Sequence, residues 1–179
     1  TGTPGHVNSM ALSVEHFLAH FPAATMKPGD VYITNDPWMG TGHLNDFVVT
    51  TPCFRGGRLI GLFSCTSHLM DIGGIGFGPD ATDVFMEGLY IPFLKLFEEG
   101  RANETLMGMI RANTRTPVDT IGDVYSLANC NDVGAKRLVA ISLAASGITI
   151  VVIGVLALQV APIALLVALG FLMGVFQTL

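Results

Sequence analysis

The chain has 179 residues, 9 Lys and Arg against 14 Asp and Glu, a formal net charge of −5 and 50% apolar residues. That length suits one ordinary domain, and the acidic balance without any basic run excludes a nucleic-acid phosphate surface, which needs clustered Lys and Arg. The averages hide an asymmetry: every charged residue lies at or before Arg137, and Leu138 to Leu179 carries none. Cys53, Cys65 and Cys130 are an odd number at wide spacings with no C-x-x-C pair. They speak against a disulfide framework or a zinc finger and for a reducing, cytoplasmic setting. The first residues, Thr-Gly-Thr-Pro, offer no Met, basic n-region or apolar h-region, so they are not a signal peptide and read as the interior of a longer protein.

In chain order, Asn8 to Phe21 places Met10, Val14, Phe17, Leu18 and Phe21 on one helical face, and Pro22 and Pro28-Gly29 end it. His16 and His20 fall on the polar side of this helix. Val31 to Thr34 is a short strand, followed by the turn-rich NDPWMGTGH, in which Trp38 and Met39 are expected to pack in the core. Phe47 to Phe54 and Leu59 to Cys65 are β-branched and aromatic runs flanking Gly56-Gly57, a hairpin signal. Pro52 cannot donate to a ladder, which predicts an edge position or a bulge. After the glycine-rich DIGGIGFGP come a strand from Leu89 to Leu96 and a helix from Glu104 to Asn113 capped by Asn103. A further helix is predicted from Val118 to Arg137.

From residue 140 to 179 the pattern predicts a membrane segment. Ile141 to Leu158 and Ile163 to Leu179 are apolar runs of about 17 to 18 residues, roughly 27 Å as helix and close to a bilayer's hydrocarbon thickness. Two spans turning at Gln159 to Pro162 are the preferred reading, one kinked span the second, and a buried core hairpin the third. Lys136 and Arg137 directly precede the runs, which puts the soluble part on the cytoplasmic side of the lipid. The fold class is therefore a mixed α/β (α+β) partial domain over 1–139 with a β-hairpin at its candidate site, followed by an apolar helical hairpin.

Histidines and carboxylates gather between Asp36 and Asp71. If Gly56-Gly57 form a two-residue turn, Arg55 faces Arg58, Asn45 faces His68 and Asp46 faces Ser67. One bulge shifts this by a residue. The hairpin thus brings His68 back beside His43 and Asp46. Two imidazoles and a carboxylate are a ligand set for Zn, Mn or Fe with open positions for water or substrate. The alternative is a hydrogen-bonded loop in which Asp46 merely caps and His43 is exposed. Asp71 can orient a ligating histidine or cap a turn. DIGGIGFGP has no Walker lysine and matches no dinucleotide fingerprint. It either offers N–H groups to an oxyanion or is a turn. Cys65 reads as a strand-core residue, and no catalytic nucleophile stands out.

The segments GDVYITNDPWMGTGHLNDFVVTTPCF, SHLMDIGG, EGLYIPFLKLFEEG, IRANTRTPVDTIGD and VGAKRL, in this order, resemble the hydantoinase B/oxoprolinase family from about Thr1 to Val139. That family includes N-methylhydantoinase B subunits, the C-terminal half of 5-oxoprolinases and an acetone carboxylase subunit. The resemblance implies a metal-dependent, ATP-linked hydrolase of cyclic amides, with a ketone as the substrate in the carboxylase branch. His43 and Asp46 match the family's His-x-x-Asp metal motif and His68 its next histidine. ATP is expected only on a partner A-type subunit, so this chain alone should turn over little. Glu87, Asn113 and Arg115 fall on motif positions without assigned roles. The chain departs from the family before the first helix, where many members have an acidic ligand and this one has His6, so either His6 substitutes or the fourth ligand is expected upstream of Thr1; it departs again at Phe93, where many have proline. GFLMGVFQTL resembles a major facilitator-type transporter helix. The alternative function is accordingly a membrane-anchored, non-catalytic fragment or a chimera with a transporter-derived tail.

Overall fold

The computed structural model describes residues 6–76 and 78–159, with side chains as far as 149. Helix α1 (His6–His20) is followed by strands β1 (Val31–Thr34), β2 (Asp46–Arg55) and β3 (Arg58–His68). Strands β4 (Leu94–Glu98) and β5 (Arg101–Ala102) and helices α2 (Glu104–Asn113) and α3 (Pro117–Gln159) complete the order. The five strands form one antiparallel sheet, β3-β2-β1-β4-β5, so the mixed α/β expectation holds.

Successive strand residues point to opposite faces, and the core divides accordingly. Val31 and Ile33 of β1 join Phe47 and Val49 of β2, Met107 and Ile110 of α2 and Val124 of α3 in one buried cluster. Tyr32 and Val48 meet Phe17 of α1 and Met26 in the other. Both faces of β1 are covered, which is why VYIT is apolar without a break. Each such fully buried side chain contributes roughly 1.5–3 kcal/mol relative to exposure. On α1 the expected apolar stripe is narrower than its spacing implies. Phe17 is fully buried and Met10 and Phe21 pack beside it, whereas Leu18 is exposed.

Gly56 and Gly57 both have positive φ (56° and 80°) and close the hairpin in two residues. Arg55 pairs with Arg58 and Phe54 with Leu59. A bulge between Cys53 and Phe54 then shifts the register, and Cys53 pairs with Gly61. Every pair beyond it is displaced by one residue, so Asp46 lies directly opposite His68. Pro52 sits next to the bulge and past the reach of β1, which pairs only with Val48 to Thr50. Its missing N–H therefore breaks no ladder on that side.

Strand β4 begins five residues later than the sequence indicates. The backbone before it is satisfied elsewhere: Leu89 N–H donates to the Ile72 carbonyl (2.8 Å) and Ile91 N–H to Asn35 Oδ1 (2.6 Å). Helix α2 has the predicted bounds, with Asn103 Oδ1 accepting from Leu106 N–H at 3.1 Å. Helix α3 opens with Pro117 at its first position, where a missing N–H costs nothing.

The helix predicted to stop at Arg137 and the apolar arm predicted from Ile141 are one element, because α3 runs unbroken to Gln159. Between them lie only Leu138, Val139 and Ala140, with neither glycine nor proline, and loss of charge does not break a helix. The second apolar run and the turn after Gln159 lie outside the described residues. Among the described residues no helix is long and apolar enough to cross a membrane. The helical hairpin, the lipid contact and the transporter-like tail thus find no support. Contacts divide the chain into two units meeting between Asp132 and Val133, and the site described next lies wholly in the first.

Candidate metal centre

The loop from Thr34 to Asp46 is shaped by its own polar side chains. Asp36 is buried; its Oδ1 accepts from the N–H groups of Trp38 (2.8 Å) and Met39 (2.9 Å), and its Oδ2 from the Tyr90 hydroxyl (2.6 Å). The bond to Asp36, helped by burial, pushes the Tyr90 hydroxyl up to about 12. Asn35 donates to the carbonyls of Leu44 (2.7 Å) and Leu89 (2.8 Å). Asn45 is tied to Leu69 in both directions at 2.8 Å. Trp38, expected in the core, is instead 71% exposed, because the turn held by Asp36 aims it outward.

The loop and the hairpin deliver three candidate ligands to one point. Asp46 opens β2 and is only 3% exposed. Its Oδ1 lies 3.0 Å from Nδ1 of His68, the last residue of β3, and its Oδ2 lies 3.3 Å from Nε2 of His43. The two imidazole centroids are 4.9 Å apart. One ligand atom from each residue lies within 4.8 Å of the others. The two carboxylate-to-imidazole distances suit direct hydrogen bonds and equally the roughly 3.0–3.5 Å between ligands that share one divalent transition ion at about 2.1 Å. Two histidines and a carboxylate also leave coordination positions open. Among the described residues these three form the one group of this kind.

A cavity of about 740 Å³ reaches this point, with His6, Val7 and Met10 of α1 on one side and Asp46, Thr66 and His68 on the other. His6 is therefore near the centre, though it is not among the three residues whose ligand atoms converge. His20, expected to be solvated, is exposed but stacks on Phe93 at 4.1 Å, and Phe93 also packs edge-on against Phe17. The departure at Phe93 thus has a packing role under α1.

Asp71 does not serve the histidines. Its carboxylate accepts from the N–H groups of Gly73 (3.0 Å), Thr116 (2.8 Å) and Arg115, and from the Arg115 guanidinium at 3.2 Å. Burial alone would raise this carboxyl, but the three backbone bonds and the Arg115 charge outweigh it and hold it below the usual carboxylate range. Arg115 also donates to the carbonyls of Gly73 (3.2 Å) and Gly74 (2.5 Å). The glycine-rich loop is thereby clamped to the α2–α3 junction. Gly73 packs so closely on the Asn113 carbonyl that a side chain there would collide. Cys65 donates to the Leu127 carbonyl at 3.3 Å, and burial pushes its thiol up to about 12, the behaviour of a core thiol and not of a nucleophile.

The Hydantoinase B/oxoprolinase family model matches residues 1–151. The chain belongs to this family. The match runs past Val139, where the sequence motifs stop. The chain is 32% identical over 139 residues to the caprolactamase subunit beta of Pseudomonas jessenii, covering 76% of this chain and 24% of that one. It is 30% identical over 138 residues to a 5-oxoprolinase of Dictyostelium discoideum, covering 75% and 11%. The fold is similar to the crystal structure of the ATP-dependent caprolactamase from P. jessenii, with a TM-score of 0.69 and 31% identity over 77% of this chain and 24% of that one. The chain thus spans about a quarter of the length of the caprolactamase subunit.

Two further residues of this hydantoinase B-like chain hold the loop in ways that their sequence positions do not reveal. Thr41 Oγ1 donates to Asp46 Oδ2 at 2.8 Å, and Glu87 Oε2 accepts from Leu44 N–H at 2.7 Å. Thr41 stands two residues before His43, but nothing in that spacing marks it. Glu87 lies 43 positions from Leu44, and only its motif position flagged it.

Proposed function

We propose that this chain supplies the metal-holding part of an ATP-linked hydrolase that opens the C–N bond of cyclic amides of the hydantoin or 5-oxoproline type. His43, Asp46 and His68 would hold a divalent Mn, Zn or Fe ion, and a separate A-type subunit would use the ATP. The observation that carries this reading is the convergence of two neighbouring imidazoles on the two oxygens of one buried carboxylate. When bound, such an ion polarises a carbonyl oxygen or yields hydroxide from water near neutral pH.

The chain's own residues have distinct parts. Asp46 supplies the negative charge and is held in place by the β2–β3 register and by the Thr41 hydroxyl. An imidazole takes an ion through a nitrogen lone pair, so protons and the ion compete for His43 and His68 and binding should weaken at acid pH. Val7 and Met10 line the same cavity as Asp46 and His68, and would give a small ring an apolar surface while its polar carbonyl turns toward the ligands. The ATP-dependent caprolactamase, which matches in sequence and fold, supports the amide class.

Metal analysis of the purified chain tests the site, comparing wild type with His43→Ala and His68→Ala. The wild type should retain about one equivalent after desalting and each variant far less. Equal metal content in all three removes the site. Turnover is expected only from a protein of the relatives' full length together with an ATP-using partner.

A further inference from the structure

We infer that Glu87 is a positioning residue for the His43–Asp46 loop, an inference that rests on the metal reading for its function but not for its structural content. Leu44 sits between the two candidate ligands of this loop, and its side chain is fully buried. Its carbonyl is taken by Asn35 and its N–H by the Glu87 carboxylate at 2.7 Å. A carboxylate accepting a backbone N–H is a charge-assisted bond, roughly twice as strong as a neutral one. The peptide that joins His43 to Leu44 is thus fixed by a side chain 43 positions away, and with it the separation of His43 from Asp46.

Glu87 is itself held from behind. Ile75 N–H donates to the Met86 carbonyl (2.9 Å), Leu89 N–H to the Ile72 carbonyl (2.8 Å) and Glu87 N–H to the Val84 carbonyl (3.1 Å). Gly74, at φ +59°, lies against the Met86 and Glu87 backbone so closely that any side chain there would collide. Gly74 is in turn gripped by Arg115. Arg115, the glycine loop and Glu87 form a continuous support ending at Leu44. This gives two motif positions that the chemistry does not use, Glu87 and Arg115, a shared purpose.

The test compares the full chain with Glu87→Ala and Glu87→Gln in two measurements. Zn(II) or Mn(II) affinity is read by competition with a chelator, and hydrogen exchange of the Leu44 amide is read without metal. Glu87→Ala should bind metal about 10- to 100-fold more weakly, the cost usual for losing an outer partner of a ligand. Glu87→Gln keeps an oxygen acceptor and should stay within about threefold of wild type. The Leu44 amide should exchange faster in the alanine variant and recover in the glutamine one. Unchanged Leu44 exchange in Glu87→Ala overturns the inference, and so does metal affinity equal to wild type. If the alanine variant does not fold, a glutamine variant with tenfold weaker metal and fast Leu44 exchange overturns the acceptor role, while near-wild-type values support it. A wild type that binds no metal, with Leu44 exchange still responding to Glu87→Ala, defeats the metal reading and leaves the loop-holding role supported.

Discussion

Asp46 and Asp71 are both carboxylates with little solvent exposure, yet they are satisfied in opposite ways. Asp71 receives its bonds chiefly from backbone N–H groups of Gly73, Arg115 and Thr116. Asp46 receives its bonds from side chains, the rings of His43 and His68 and the hydroxyl of Thr41. Backbone donors cannot leave without the fold opening, so Asp71 is part of the architecture. Imidazoles and a hydroxyl can turn away without the fold opening, so the proposed metal reading can assign Asp46 to a site. On that reading the donor type, rather than burial or charge, is what separates the two carboxylates.

Removing Asp71 should therefore have the largest effect on stability. Asp71→Ala leaves the N–H groups of Gly73, Arg115 and Thr116 and one guanidinium without their acceptor, and at about 1–3 kcal/mol for each unmet group, partly rescued by water, a loss of roughly 3 kcal/mol is expected in urea unfolding. A loss under about 1 kcal/mol would break the comparison. Next comes Gly74→Ala. A methyl group at φ +59° pressed on the Met86 and Glu87 backbone should cost about 2 kcal/mol, read from the same unfolding curves.

How much of this was legible in the chain varies by element for physical reasons. Helix α2 was readable to the residue because Asn103, a local cap, fixes its start. Strand β1 was readable because both faces are apolar. The hairpin turn was readable from Gly56-Gly57, and Pro52 pointed to an edge or a bulge, but nothing in Cys53-Phe54 or Leu59 to Gly61 places the bulge between Cys53 and Phe54. That single residue decides whether Asp46 or its neighbour faces His68. The site's membership was thus legible as proximity, and its pairing was not. Asp71's role depended on Arg115, 44 positions away, and no local pattern encodes such a contact. The late start of β4 follows from Asn35 taking the Ile91 amide, another long-range competitor that propensity does not see.

The acid limb of stability sharpens the contrast further. Asp71 and Asp30 are both held below the usual carboxylate range. For Asp30, burial opposes this, but the N–H groups of Glu99 and Lys27, the Tyr32 hydroxyl and Lys95 prevail. A carboxyl depressed in the folded state binds fewer protons folded than unfolded, so its contribution is complete above the unfolded value near about 4 and disappears as pH falls through the folded value. The urea midpoint of the wild type should drop steeply below about pH 4. Asp71→Asn should start lower at neutral pH and fall less over that window. Parallel curves would remove Asp71 from the acid response.

The smallest effect on stability is expected at Asp46, and that is its significance. Asp46→Asn keeps shape and one acceptor oxygen for Thr41 or a histidine, and the two rings, 27% and 35% exposed, can turn to water for what they lose. Without metal the change in unfolding free energy should stay within about 1 kcal/mol. Metal bound only by the folded state stabilises by mass action, about 2.7 kcal/mol at one hundred times the dissociation constant. The wild-type midpoint should therefore rise when Zn(II) or Mn(II) is titrated in, and the Asp46→Asn midpoint should stay flat. A variant that still gains stability from added metal would place the cation elsewhere, and a variant that unfolds without metal would make Asp46 as architectural as Asp71.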